Sequence, residues 1–325
     1  MRKALPRFFI SSLLILGLSS CGGGSDSRVE VLGTAVQQDA TADEGLARFN
    51  ALRASLGLPQ LARVSLLDHA AQTHSDYQAR NNTITHHQEA GKLGYQPGWE
   101  NLQGRITGSG YALTAPYAIG EVISRTRNRS GAYAADELVT AIYHRFGVFE
   151  PMFTRAGVGA ATSGSGDTYF TANFVSPDLR EGIGRTSIVV FPMDGQQDVR
   201  RNFFSDQEVP DPVPSKNEVG YPVSVHADIA YIPPGATSAR LLVLDVNTFT
   251  IRARGGSPLP VQPLWRSVDE LTPRSAAAIV PLDVLQPSTT YDVEFAGTLS
   301  ERIPSTGETL NPVPVSRSWS FTTGP

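Results

Sequence analysis

The chain has 325 residues, with 27 Lys and Arg against 31 Asp and Glu, a net charge of −4 and one cysteine. Thinly spread basic residues on an acidic chain argue against nucleic acid as a partner, and one cysteine excludes intramolecular disulfides and cysteine-built metal sites. The length is enough for two domains, each with its own core.

Residues 1–20 read as an export signal. Arg2, Lys3 and Arg7 form its positive end, and the apolar run over 8–18 is too short to span a bilayer as a permanent helix. The run ends in Leu18-Ser19-Ser20-Cys21, which resembles the lipobox of bacterial lipoproteins. That resemblance implies acylation of Cys21, attachment to a membrane through it, and a place in the cell envelope. Gly22 rather than Asp after the cysteine implies the outer membrane if the host is Gram-negative. Residues 21–40 form a tether that opens with Gly22-Gly23-Gly24-Ser25-Asp26-Ser27, a flexible composition.

The first domain is expected over 41–180. Leu46, Phe49, Leu52 and Leu56 recur at helical spacing over 41–56, stopped by Gly57 and Pro59. A second helix is predicted over 65–81, where Ser65-Leu66-Leu67-Asp68 resembles a capping box. His69 and His74 on it read as structural or solvated. The non-periodic Thr85-His86-His87-Gln88-Glu89 offers metal ligands or a general base. Residues 95–117, with Trp99, Arg105 and Tyr111, read as a long surface loop leading to Gly120-Glu121. A helix over 134–149 carries one apolar stripe: Leu138, Val139, Ile142, Tyr143 and Phe146. His144 points away from the stripe, toward water or a cleft. Strands over 156–162 and 167–175 flank a turn at 163–166. In the second strand Phe170, Ala172 and Phe174 should face core, while Tyr169, Thr171 and Asn173 border a cleft.

Taken together, the helical pair, the His loop, Gly120-Glu121-Val122-Ile123, His144-Arg145, Gly157-Val158-Gly159 and the Tyr169 to Phe174 strand resemble the CAP superfamily (cysteine-rich secretory proteins, antigen 5 and pathogenesis-related 1 proteins), in its cysteine-free bacterial branch. The resemblance covers about 45–176. It implies an α-β-α sandwich whose cleft is lined by two histidines and two glutamates, some of which bind a divalent metal such as zinc. Here His87 matches the first cleft histidine, with His86 as the competing register; Glu121 matches the glutamate of a Gly-Glu-Asn-Ile motif, and His144 a later histidine. Tyr169 stands where other members carry their last histidine, so the tetrad is incomplete. His87, Glu121 and His144 form the candidate catalytic set, either as two-His-one-carboxylate ligands of a metal or, without metal, as an imidazole base oriented by Glu121. No serine sits in a Gly-x-Ser-x-Gly elbow and no oxyanion donors stand out, which favours binding of a small-molecule, lipid, peptide or glycan ligand over hydrolysis.

After Pro177 helical periodicity ends and proline becomes frequent. Residues 181–325 present alternating or apolar runs at 223–227, 241–246, 249–253, 276–280, 291–296 and 316–322, spaced as in an all-β Ig-like sandwich. Leu285-Gln286-Pro287-Ser288-Thr289-Thr290-Tyr291 resembles the tyrosine corner of fibronectin-type domains. Trp319 and Phe321 should share one core face, and His226 reads as structural. This half is expected to be a spacer, an adhesion module or a stabilising appendage. The fold class is therefore α+β.

Overall fold

The computed structural model describes the backbone of residues 12–17 and all of residues 40–325. Cys21, the charged start of the leader and the glycine tether lie outside the described residues. The first half contains β1 (Ser12–Gly17), α1 (Ala40–Ser55), β2 (Ala62–Arg63), α2 (Ser65–Asn81), α3 (Leu102–Gly108), β3 (Tyr117–Thr126), α4 (Gly131–Thr140), α5 (Ile142–Val148), β4 (Arg155–Thr162) and β5 (Thr168–Ser176). The sheet runs β1-β3-β5-β4-β2, with β5 antiparallel to both neighbours. Strand β1 pairs with the outer edge of β3, Ser12 opposite Val122.

Strand alternation sorts the two faces of this sheet. Phe170 and Phe174 lie 6.0 and 5.9 Å from the Phe49 ring of α1, in one core with α4. The opposite face lies beneath α2, where Ser75 Oγ donates to Gly159 O at 3.0 Å and lies 2.9 Å from Thr171 Oγ1. The Gly157-Val158-Gly159 strip is what lets α2 approach. A Cβ on Gly157 would stand 2.0 Å from the Leu67 carbonyl carbon, and one on Gly159 2.3 Å from the Gln72 nitrogen. The result is the expected α-β-α sandwich.

Four local expectations change. Tyr169, Thr171 and Asn173 do not border an open cleft; all three are fully buried under α2. The cap of α2 is Val64, without a side-chain bond; Asp68 instead accepts from the Val158 N–H at 2.8 Å and from Arg63 at 3.0 Å. The loop expected over 95–117 contains α3, whose first turn is capped by the Asn101 side chain accepting from the Gly104 N–H. The single helix expected over 134–149 is two helices, because Ala141 is extended at φ −70°, ψ 119°.

The second half contains β6 (Val189–Phe191), β7 (Gln196–Val199), β8 (Asn202–Phe204), β9 (Glu218–Gly220), β10 (Val223–His226), β11 (Ala230–Tyr231), β12 (Arg240–Ala253), β13 (Val261–Trp265), β14 (Ala276–Pro281), β15 (Thr290–Arg302) and β16 (Thr309–Thr323). Two sheets, β13-β14-β10-β6 and β11-β12-β15-β16-β7, share a core. The runs at 241–246 and 249–253 are one strand, β12, with an irregularity between Val246 and Thr248. Tyr291 Oη accepts from the Gln286 N–H at 2.8 Å, the corner contact anticipated from the motif. Trp319 and Phe321 are both buried.

The two halves share one continuous apolar core. Phe149 meets Phe191 at 5.1 Å and His226 at 5.6 Å, while His226, fully enclosed, also bonds Ser224. The Arg145 guanidinium lies 4.9 Å from the Phe191 ring and 5.0 Å from that of Tyr221, and donates to the carbonyls of Val139 and Pro222. An arginine stacked this way stays charged while its apolar faces are covered. The β-rich half is therefore welded to the first domain.

Candidate functional site

Glu121 is the centre of the polar arrangement inside the first domain. Strand β3 carries it into a fully buried position. An isolated carboxylate there would be prohibitively desolvated. Arg105 of α3 supplies the compensation, with Nη2 2.7 Å from both Glu121 oxygens and Nη1 donating to the His86 carbonyl at 2.9 Å. His86 Nδ1 stands 2.6 Å from Glu121 Oε1. With its amide oriented to satisfy its neighbours, Asn173 of β5 donates to Glu121 Oε2 at 3.0 Å. Burial pulls the carboxyl pKa up, but the charge of Arg105 and the imidazole contacts outweigh it and hold Glu121 well below the usual carboxylate range.

His74 fixes the loop that brings His86 to this carboxylate. Its Nε2 lies 2.6 Å from the Thr85 carbonyl, its ring stacks on Tyr77, and Gln88 approaches Nδ1 at 3.4 Å. Burial, followed by repulsion from Arg105, pushes its pKa down to about 3, so it stays neutral and donates to that carbonyl.

The three residues singled out from the sequence do not assemble. His87 is exposed, its backbone N–H bonded to Thr85 Oγ1, while His86 is the histidine at Glu121. His144 is fully buried at the junction with the β-rich half, its Nδ1 2.8 Å from Glu208 Oε1. Glu208 also accepts the N–H groups of Ile142, Tyr143 and His144, at 2.9, 2.8 and 3.3 Å. The extended Ala141 explains this: α5 begins afresh there, its first N–H groups lack helical partners, and a carboxylate at its positive end satisfies them. A wheel drawn through 134–149 as one helix could not place His144 correctly.

Among the described residues no three His, Cys, Asp or Glu side chains come together to hold a metal ion. Glu121 already has a guanidinium on both oxygens, His144 is committed to Glu208, and Tyr169, in the place of the missing histidine, lies buried with its hydroxyl 3.4 Å from Asn82. The residues present do not fit zinc. Arg105 and Glu208 were not among the candidates drawn from the sequence. Asn101 as a cap and the Leu102–Ile106 pair one turn apart were the available signs of the helix that presents Arg105; Glu208, before Pro210, carried no such sign.

A family model described as the cysteine-rich secretory protein family matches residues 46–174. No curated protein matches the chain. Among solved structures, an extracellular protein containing an SCP domain from Bacillus anthracis is similar at 22% identity and a TM-score of 0.35, over 42% of this chain and 40% of that one. An outer surface protein from Borrelia burgdorferi is similar at 16% identity and a TM-score of 0.33, over 41% of this chain and 89% of its own.

Proposed function

Because the chain carries a CAP domain over residues 46–174, we propose that it is a cell-envelope binding protein, held to a membrane through acylated Cys21. The CAP domain recognises a lipid, peptide or glycan at the edge presented by His86, and the β-rich half acts as a rigid buttress. The observation that carries the binding reading is the saturation of Glu121. A carboxylate clamped by Arg105 on both oxygens orients His86 but has no lone pair directed at a metal. No helix among the described residues is long and apolar enough to cross a membrane.

Two measurements test this. Cys21→Ser should move the protein from the membrane fraction to the soluble fraction. Purified chain exposed to lipid, peptide and glycan fractions of an envelope should retain one class, and His86→Ala should release it; equal retention by both proteins overturns the role of His86. A hydrolytic reading has one observation in its favour, the 2.6 Å contact that orients His86 as a carboxylate-supported base. It predicts product release from an envelope or peptide substrate that disappears in His86→Ala.

A further inference from the structure

A second concavity lies away from Glu121, where α5 meets the β-rich half. It has a volume of about 330 Å³, at the lower end of small-ligand pockets, which run from about 300 to 1,000 Å³. Phe146 of α5, Ile229, Leu241, Leu242 and Leu271 give it apolar walls. Leu271 is 57% exposed and Val268, three residues earlier, 58%, so an apolar lip continues from the wall into solvent.

The rim is cationic. Arg266 and Arg274 line the cavity, and Arg302 stands close enough to Arg274 to repel it. Partial burial, then repulsion from Arg266 and Arg302, lowers the Arg274 pKa. Glu301, opposite Leu242 across the β12–β15 pair, is committed to Arg185 and Arg240. Asp269 accepts from Thr272 Oγ1 at 2.5 Å and from the Leu271 N–H at 3.1 Å, and bonds Tyr143. Glu270 is the one carboxylate in the lining; its backbone carbonyl accepts from Arg266, and its side chain forms no ion pair among the described residues. Two guanidinium groups against one carboxylate, above an apolar hollow, complement a ligand with one anionic head and one hydrocarbon tail.

We propose that this cavity binds a single-chain fatty carboxylate, with its head on Arg274 and Arg266 and its tail against Phe146, Leu241 and Leu242. The site is built jointly by the CAP domain and the β-rich half and does not depend on the His86 edge.

Calorimetric titration of the full chain with sodium dodecanoate below its micellar concentration tests the proposal, with dodecan-1-ol as the uncharged control. Dodecanoate should bind with one-to-one stoichiometry and about tenfold or more tighter than the alcohol. Arg266→Ala/Arg274→Ala should remove that preference and leave alcohol binding unchanged. Leu241→Trp, which plugs the cavity from a half-buried position, should abolish both while retaining the wild-type melting temperature; if it does not fold, the double arginine variant still decides. His86→Ala should bind dodecanoate as the wild type does. Equal affinity for acid and alcohol, no dodecanoate binding, or loss of binding in His86→Ala each overturn the proposal.

Discussion

The molecule contains two buried His–Glu pairs that look alike and serve different ends. In both, an imidazole Nδ1 faces a fully enclosed carboxylate, at 2.6 Å for His86–Glu121 and 2.8 Å for His144–Glu208. The difference lies in what else holds the carboxylate. Glu121 is neutralised by a side-chain cation on its own domain, Arg105. Glu208 comes from the other half and is held by three backbone N–H groups at a helix start. The first pair ties the His86 loop to α3 and β3 within one domain; the second closes a joint between the two halves.

Glu121→Gln is expected to give the largest effect. It leaves Arg105 as a buried, unpaired charge, which destabilises by about 3–5 kcal/mol, measurable by denaturant unfolding at pH 7. Replacing both partners, as Glu121→Gln with Arg105→Met, should recover part of the loss. The pH dependence has a definite sign. A carboxyl whose folded pKa is depressed contributes stability above its ordinary value of 4.5 and loses it as pH falls below that. The acid limb of the stability profile should therefore flatten in Glu121→Gln. A variant no less stable than a surface substitution would mean that Arg105 finds another partner.

Glu208→Ala should be milder, about 1–3 kcal/mol, since it strips acceptors from backbone groups and an imidazole rather than stranding a guanidinium. Location separates the pairs more sharply than size. Amide exchange should quicken at residues 142–144 in Glu208→Ala, whereas Glu121→Gln should loosen the His86 loop and α3. Matching exchange patterns in the two variants would show that the pairs belong to one cooperative unit, and the distinction drawn between them would fall.

The joint contains a third acid with the opposite sign. Burial, then repulsion from Asp228, raises the Glu150 pKa well above its ordinary 4.5, although it accepts the N–H groups of Met152 and Ile229. A carboxyl with a raised folded pKa favours the folded state below 4.5, and that contribution is lost as pH rises through the folded value. Glutamine retains the acceptor without the charge. Glu150→Gln should therefore be neutral at pH 4 and stabilising at pH 8, by about 1 kcal/mol or more. Melting temperatures at the two pH values check it; a loss at pH 8 would mean that the ionised form is held by Arg53.

Elements set by local periodicity were legible in the sequence. The α1 and α2 helices, the β4–β5 hairpin and the Tyr291 corner follow from apolar spacing, turn residues and one motif. The polar sites were only half legible. Glu121 follows from its motif, but its partner sits on a helix masked by Gly104 and Gly108, residues that lower helix propensity. Those glycines are required by close packing: a Cβ on Gly108 would lie 2.2 Å from Trp99 Nε1, and one on Gly104 2.1 Å from the Gly98 carbonyl oxygen. Glu208 was invisible for another reason. Its role depends on a helix break at Ala141 and on a contact 64 residues away, and neither leaves a pattern in sequence.

The adjacent histidines His86 and His87 offer the finest test of the first pair. Sequence leaves their register open; the fold resolves it through His74 and Thr85, which place His86 inward and leave His87 in solvent. His87→Ala should change stability by less than about 0.5 kcal/mol, as an exposed substitution away from any cap or network does. Calorimetric titration with zinc should show no stoichiometric binding, because neither His87 nor His144 can reach Glu121 while Arg105 occupies both of its oxygens. One-to-one zinc binding that His87→Ala removes would show that Arg105 releases Glu121 in solution. The domain would then hold a metal in a second arrangement of the same residues.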